Sequence, residues 1–360
     1  MKVLVALNPD MLDEICYENA EYIQLGKARV LIGNVELSEP SFDENDEKNK
    51  DHVLVRVDAF SCNFRDKGIL LHNYELMMKN KRAFLPFGSE FCGEIVKKGK
   101  NVNEYSVGDI VIPDCRYEEM DSKEVAPGIT TNFASLGWLR LNKNKIVKKP
   151  DSFGISEGAA FGLGAETAAS MIRKSGILEA DVKKPIVFSA NSATSLFIIQ
   201  ALLAHGIEPI CISSKKPDAE YPFDVKRDST DNIEKYFGTA THAFDPFFDI
   251  NILNAVSTLN MGGKYIYCGM VEQHPLLSEK DLSEYTTTLR EALKIAIVKN
   301  ISIIGNCLGT HDDIVDAGKL YERKGMKPVV EGIYKVYEGM QFLGKSFLGK
   351  NAPGKCVMTY

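Results

Sequence analysis

Closely spaced cysteines are what this 360-residue sequence lacks most plainly. Its eight cysteines, at positions 16, 62, 92, 115, 211, 268, 307 and 356, are scattered singly, and no two stand in C-x-x-C spacing. A zinc ribbon needs paired thiolates and a disulfide scaffold needs a denser framework, so neither organises this chain, and a reducing compartment is expected. No apolar run approaches the ~20 residues that cross a bilayer. The opening segment Met1-Lys2-Val3-Leu4-Val5 has neither a long apolar core nor a small-residue cleavage site, so a cytoplasmic address is expected. Charge of one sign is scarce too. Lys plus Arg total 43 against 49 Asp plus Glu, a formal charge of -6, and such a balance supplies no basic field for nucleic acid or a membrane surface.

There are no internal repeats. The length is about twice that of a typical ~150-residue domain, so two domains are expected. Ser41 to Asp51 is charged, with Phe42 its only large apolar residue, and reads as a solvated loop. His52 to Val57 alternates apolar and polar residues as a half-buried strand does, and Phe87 to Pro113 is strand-rich, with turns at Gly99 and Gly108-Asp109. The character changes near Pro150. Pro185-Ile186-Val187-Phe188 reads as a buried strand, Leu196 to His205 as an apolar helix closed by Gly206, and Pro209 to Ser213 as a second strand. Strand, polar turn, helix and strand make a βαβ unit, which implies a parallel sheet. Later strands are expected at Lys264 to Cys268 and Lys355 to Met358.

Several motifs in this order carry a resemblance. They are Asn63-Phe64-Arg65-Asp66, Gly88-Ser89-Glu90 with Gly93-Glu94-Ile95-Val96, Val107-Gly108-Asp109-Ile110-Val111, Gly158-Ala159-Ala160 with Thr167-Ala168, Gly262-Gly263-Lys264, Gly305, and Gly354-Lys355. Together they resemble the medium-chain dehydrogenase/reductase superfamily, in its zinc-free enoyl- and quinone-reductase branch. The resemblance implies an α/β protein with a β-rich GroES-like catalytic domain over residues 1–150 and 301–360. A Rossmann nucleotide-binding domain is expected over 151–300, and the stretch 41–51 would be an insertion.

At the positions where zinc alcohol dehydrogenases of that family place catalytic ligands, this sequence has Asn63, Ser89-Glu90 and, roughly, Leu163. A catalytic zinc usually needs three protein ligands, so a metal-free enzyme is expected. Aligning Gln200 with the family's A-I-Q-L-A helix puts Ser189, Ser192, Ala193, Thr194 and Ser195 in the nucleotide loop, where glycines are usual. Small hydroxylated residues can still expose backbone N–H groups to phosphate. The second strand ends in Ser213-Ser214-Lys215 with no acid before Asp218, which favours NADPH over NADH. Further cofactor contacts are implied at Cys268, Gly269, Asn306 and Lys355, and Asn63 and Thr167 would flank the nicotinamide.

Without a metal to polarise a simple ketone, conjugate reduction of an activated C=C bond fits best. The resemblance places Tyr74, eight residues after Asp66, as the proton donor. The loop S-A-N-S-A-T-S also resembles lanthipeptide-tailoring reductases, which implies a dehydroalanine or dehydrobutyrine residue in a precursor peptide as substrate and a D-amino acid as product. A quinone or enone oxidoreductase, a zinc-type alcohol or carbonyl dehydrogenase, and a non-enzymatic nucleotide-binding protein stand as alternatives. A homodimer is left open.

Overall fold

The structure is a computed structural model that describes residues 1–116, 128–214, 221–277, 282–349 and 353–360. In chain order its first strands are β1 (Lys2–Leu7), β2 (Tyr17–Leu25), β3 (Ala28–Glu36), β4 (His52–Ser61), β5 (Phe84–Leu85), β6 (Glu90–Lys98), β7 (Ile110–Pro113), β8 (Trp138–Asn142) and β9 (Ile146–Lys148). Then follow β10 (Pro185–Val187), β11 (Ile210–Ser213), β12 (Lys226–Ser229), β13 (Ala240–Asp245), β14 (Leu259–Tyr267) and β15 (Ser302–Gly305). Two more close the set, β16 (Val330–Lys335) and β17 (Lys355–Thr359). The helices are α1 (Phe64–Lys79), α2 (Ile155–Ala159), α3 (Gly162–Ser175), α4 (Ala193–Ala204), α5 (Phe248–Thr258), α6 (Leu282–Lys299), α7 (His311–Lys324) and α8 (Gly339–Leu343).

Strands β10 to β15 form one sheet in the order β12-β11-β10-β13-β14-β15, and every described pair in it is parallel. This is the doubly wound order whose crevice, outside the carboxyl ends of the strands, takes dinucleotides. Both faces are covered, as a parallel sheet requires. Val187, Cys211, Phe244 and Ile266 pack on one side, among residues of α3, α4 and α7. Ile186, Ile212, Ala243 and Tyr265 face the other, among residues of α5 and α6. Helix α4 is mostly apolar because it is enclosed: Leu196 to Leu202 are all buried. It lies so close to α3 that a Cβ on Gly164 would stand 2.5 Å from the Phe197 ring.

The β-rich part contains a four-stranded sheet, β2-β3-β1-β5, and a seven-stranded sheet, β16-β17-β4-β6-β7-β9 with β8 on β4. The architecture is therefore a Rossmann unit with a GroES-like unit. Their junction in the sequence lies later than expected. Residues 302–305 are hydrogen-bonded to β14 as the sixth strand of the parallel sheet, α7 packs against α3, and the chain rejoins the β-rich sheet at Val330.

One local reading changes as well. The expected loop at 41–51 contains a 3-10 turn, Glu47–Asn49. Asn49 is buried and accepts a bond from Arg140 at 2.7 Å, so this charged stretch is pinned to the sheet. In addition, the 16-residue helix α1 begins within the Asn63–Asp66 motif.

Candidate active site

Asp66 organises the first part of the site. Its carboxylate is buried and accepts from the Asn63 N–H at 2.8 Å, the Ser89 N–H at 3.2 Å and the Ser89 hydroxyl at 2.7 Å. One acid thus ties the first turn of α1 to the segment leading into β6, which explains the joint occurrence of the two motifs. Asn63 is held on its other side, its amide donating to the Ser89 hydroxyl at 3.2 Å and to Glu90 at 3.0 Å.

Glu90 is fully buried. One carboxylate oxygen accepts from the Leu163 N–H at 3.1 Å. The other receives the Asn63 amide, the Ser61 hydroxyl and the ammonium of Lys355, which is buried alongside it. This disposition does not suit zinc. Of the four positions, Asn63, Ser89 and Leu163 offer no thiolate or imidazole, and the remaining carboxylate is occupied by a cation. Lys355, expected as a cofactor contact, stands in the structure as the counter-ion of Glu90.

The nucleotide turn follows β10. Ser189, at the position of the first family glycine, adopts a left-handed backbone with φ 48°. The sharp turn survives the loss of glycine because Asn251 donates to the Ser189 hydroxyl at 3.1 Å and to Asp245 at 2.9 Å, bracing it from α5. Ser192 caps α4, accepting from the Ser195 N–H at 3.2 Å, and Ser195 is buried with its hydroxyl on the Phe188 carbonyl at 2.8 Å. Ser192 and Ser195 thus build the turn, and Ala193 and Thr194 form the first turn of the helix, whose N-terminus suits an anion. Ser213 ends β11 and is buried, Ser214 is exposed, and Lys215 lies outside the described residues.

A cleft of about 430 Å³ opens at the carboxyl ends of β14 and β15, lined by Lys174, Tyr267 to Met270 and Gly305 to Cys307. It brings Cys268, Gly269 and Asn306 together. Asn306 is fixed, accepting from the Ser170 hydroxyl at 2.9 Å and donating to the Leu308 carbonyl at 3.0 Å. Thr167 is buried on α3, one residue after Glu166, whose carboxyl is pushed well up by burial. The start of α1 reaches the same region: the Phe64 and Phe247 rings meet at 5.1 Å, and Gly68 packs against Gln273.

Tyr74 is not brought to this cleft. It packs into the core of the β-rich unit, near the Leu31 backbone, Tyr22 and Asp10. Eleven residues of helix at ~1.5 Å each put it ~16 Å along α1 from Asn63. Burial also raises its phenol pKa, making it a weaker acid.

With this geometry in place, the relatives can be compared. The alcohol dehydrogenase GroES-like domain family matches residues 49–151. A crotonyl-CoA reductase from Streptomyces avermitilis is 29% identical over 157 residues, covering 39% of this chain and 35% of the relative. The chain thus matches about a third of that protein's length. An acryloyl-coenzyme A reductase from Sulfurisphaera tokodaii is 25% identical over 335 residues, covering 86% of this chain and 92% of the relative. The chain is thus similar to medium-chain dehydrogenases and reductases, with the GroES-like domain matched over residues 49–151. Among solved structures, a thermostable alcohol dehydrogenase from Pyrobaculum aerophilum shares this fold with a TM-score of 0.73 and 19% identity, covering 96% of this chain and 99% of that one. At that identity the likeness is one of fold. The site is organised by the Asp66 hub, the Glu90–Lys355 pair and the serine-built turn. Asp66 was legible as a motif letter, but its role was not.

Proposed function

We propose that the protein is an NADPH-dependent, metal-free reductase of electron-poor C=C bonds. The observation that carries this reading is the Glu90 environment. Asn63, Ser89 and Leu163 replace metal donors, and Lys355 neutralises the one carboxylate left. An acceptor that needs no Lewis acid is one already activated by conjugation. The comparison supports the same class, because crotonyl- and acryloyl-thioesters are α,β-unsaturated.

The turn from Ser189 to Ser195 would hold the dinucleotide phosphates, with Ser213, Ser214 and Lys215 reading the 2′-phosphate. Cys268, Gly269 and Asn306 would hold the nicotinamide end, flanked by Asn63 and Thr167. When bound, NADPH supplies the hydride. Holding reactants in a near-attack geometry is worth ~7–11 kcal/mol at best, so positioning by these fixed side chains is the protein's main contribution. The proton at the α-carbon is assigned to water, since Tyr74 faces the other core. Among activated alkenes, the serine-rich loop supports dehydroalanine in a peptide as a specific candidate.

The test is NADPH oxidation against a panel of enones, quinones, enoyl thioesters and dehydroalanine peptides, with NADPH binding read separately by quenching of the single tryptophan, Trp138. Turnover of an activated alkene but not of simple ketones is expected. NADPH binding without turnover of any alkene would overturn the reading. Lys215→Glu should weaken NADPH more than NADH, by ~1–3 kcal/mol for a lost charge-assisted bond. Equal losses would remove Lys215 from the 2′-phosphate site.

A further inference from the structure

Helix α3 holds one wall of the cleft along a single face. Glu166, Ser170 and Arg173 stand at i, i+4 and i+7 and so share that face. It lies against residues 306–313, the segment that leaves β15. Gly309 packs so closely on Glu166 that a Cβ there would stand 2.7 Å from the Glu166 Cγ. The Ser170 hydroxyl donates to the Asn306 side-chain oxygen at 2.9 Å, and Arg173 pairs with Asp313 at 2.8 Å. Within this segment Leu308 has a left-handed backbone, φ 56°, an uncommon state for a bulky residue. The Asn306 amide pins it by donating to the Leu308 carbonyl at 3.0 Å.

These two bonds fix which way the Asn306 amide faces. A carbonyl can only accept, so the atom that meets Leu308 is the amide nitrogen. The amide oxygen then falls to Ser170. Arg173, which can only donate, approaches the Ser170 hydroxyl oxygen at 3.4 Å and leaves the hydroxyl hydrogen for Asn306. Both partners enforce the same orientation. The amide nitrogen carries two hydrogens, and among the described residues only the one toward Leu308 is taken. Asn306 is more than nine-tenths buried and lines the cleft, so its second N–H is best matched by an acceptor bound there.

We propose that Ser170 is a positioning residue, holding Asn306 as a hydrogen-bond donor to a carbonyl oxygen bound in the cleft. The inference rests on the reductase reading and deepens it. Two carbonyl groups meet the description, the carboxamide of the nicotinamide and the group that activates the alkene. An asparagine able to turn over could offer either its oxygen or its nitrogen. The bond from Ser170 makes it a donor only, and a donor already fixed in place loses little freedom on binding.

Two measurements test this and separate the sources. Calorimetric titration compares NADPH with its thionicotinamide analogue, in which sulfur replaces the carboxamide oxygen. NADPH oxidation is followed with the best acceptor from the panel above. If the carboxamide is the partner, wild-type protein should bind NADPH about 3–10-fold more tightly than the analogue, the size of one neutral hydrogen bond, and Ser170→Ala should abolish that preference. If the partner is the carbonyl of the alkene, Ser170→Ala should lower kcat at least about tenfold while NADPH affinity stays within about twofold. In either case Ser170→Thr, which keeps the hydroxyl, should restore most of the effect. Asn306→Ala should reproduce the loss, and the double variant should lose no more than Asn306→Ala alone. Unchanged preference and unchanged kcat in Ser170→Ala would overturn the proposal. Equal failure of Ser170→Thr and Ser170→Ala, or additive losses in the double variant, would reduce Ser170 to a packing residue and overturn it too. Where Ser170→Ala does not fold, Asn306→Ala carries the test, and retention of both properties overturns the proposal. If no alkene is reduced, the reductase reading fails by itself. The titration then judges Ser170, with equal affinity for the two dinucleotides in wild type, or no binding of either, overturning its role.

Discussion

The ammonium of Lys355 lies against the carboxylate of Glu90, and both groups are sealed from solvent inside the catalytic sheet. An ion pair removed from water is sensitive to the loss of either member, because the survivor is left as an uncompensated buried charge. Glu90→Gln should therefore destabilise the protein by ~3–5 kcal/mol. Glu90→Gln combined with Lys355→Met should recover part of that loss, since the two residues are in contact. Urea denaturation of the single and double variants measures this, and strict additivity would show that the pair is not coupled.

The same pair carries the expectation about metal. Protein purified from zinc-supplemented medium should contain well under one equivalent by elemental analysis, and chelation should leave melting temperature and NADPH oxidation unchanged. One tightly held equivalent, lost in Glu90→Gln, would reverse that expectation.

Ser192→Ala removes the cap of α4. A lost Ser cap costs ~0.5–2 kcal/mol of stability. NADPH affinity should fall as well, because the backbone N–H groups of the first turn are then less well ordered. Thermal melts with and without NADPH separate the two effects. An unchanged dissociation constant would detach this turn from nucleotide binding.

Asp245 should leave a mark on the pH dependence of stability. It is fully buried, bonded to Asn251, Tyr265 and the Phe247 N–H, and burial raises its pKa to about 6. The folded state therefore binds this proton more tightly than the unfolded chain does. Its contribution is most favourable below pH ~4 and declines as pH rises to about 6. The stability of wild type relative to Asp245→Asn should fall by about 3 kcal/mol across that window. A flat difference would show that Asp245 ionises normally.

Tyr74→Phe discriminates the two sources of the proton. Loss of a general acid costs ~10²–10⁴-fold in rate. With the phenol directed toward Leu31 rather than the cleft, turnover should change by well under tenfold. A loss within the general-acid range would require the substrate to reach that side of α1.

Much of the scaffold was readable from local pattern. The apolar runs at Pro185–Val187 and Ile210–Ser213, with the intervening helix, are short, buried and bounded by turn residues, so periodicity and punctuation sufficed. Helix α1 was harder to see because few of its apolar residues are buried, Leu70, Leu71 and Met77, and its first turn is dominated by Arg65, Asp66 and Lys67. Ser189 and Ser192 were legible as members of the turn, but the brace from Asn251 comes from 62 residues away and has no local signature. Lys355 illustrates the same limit. The carboxylate it meets, Glu90, lies 265 residues away and leaves no local signature.

The placement of β17 also bears on how the protein is made. It hydrogen-bonds to β4, pairing Val357 with Ser61 and Thr359 with Ala59. Synthesis at ~5–20 residues per second separates those partners by roughly 15–60 s. Throughout that interval β4 presents an open edge, and Glu90 has no cation. A nascent chain in this state is exposed to edge-to-edge association along Ala59–Ser61, so completion of this sheet waits for the last residues of the chain described here.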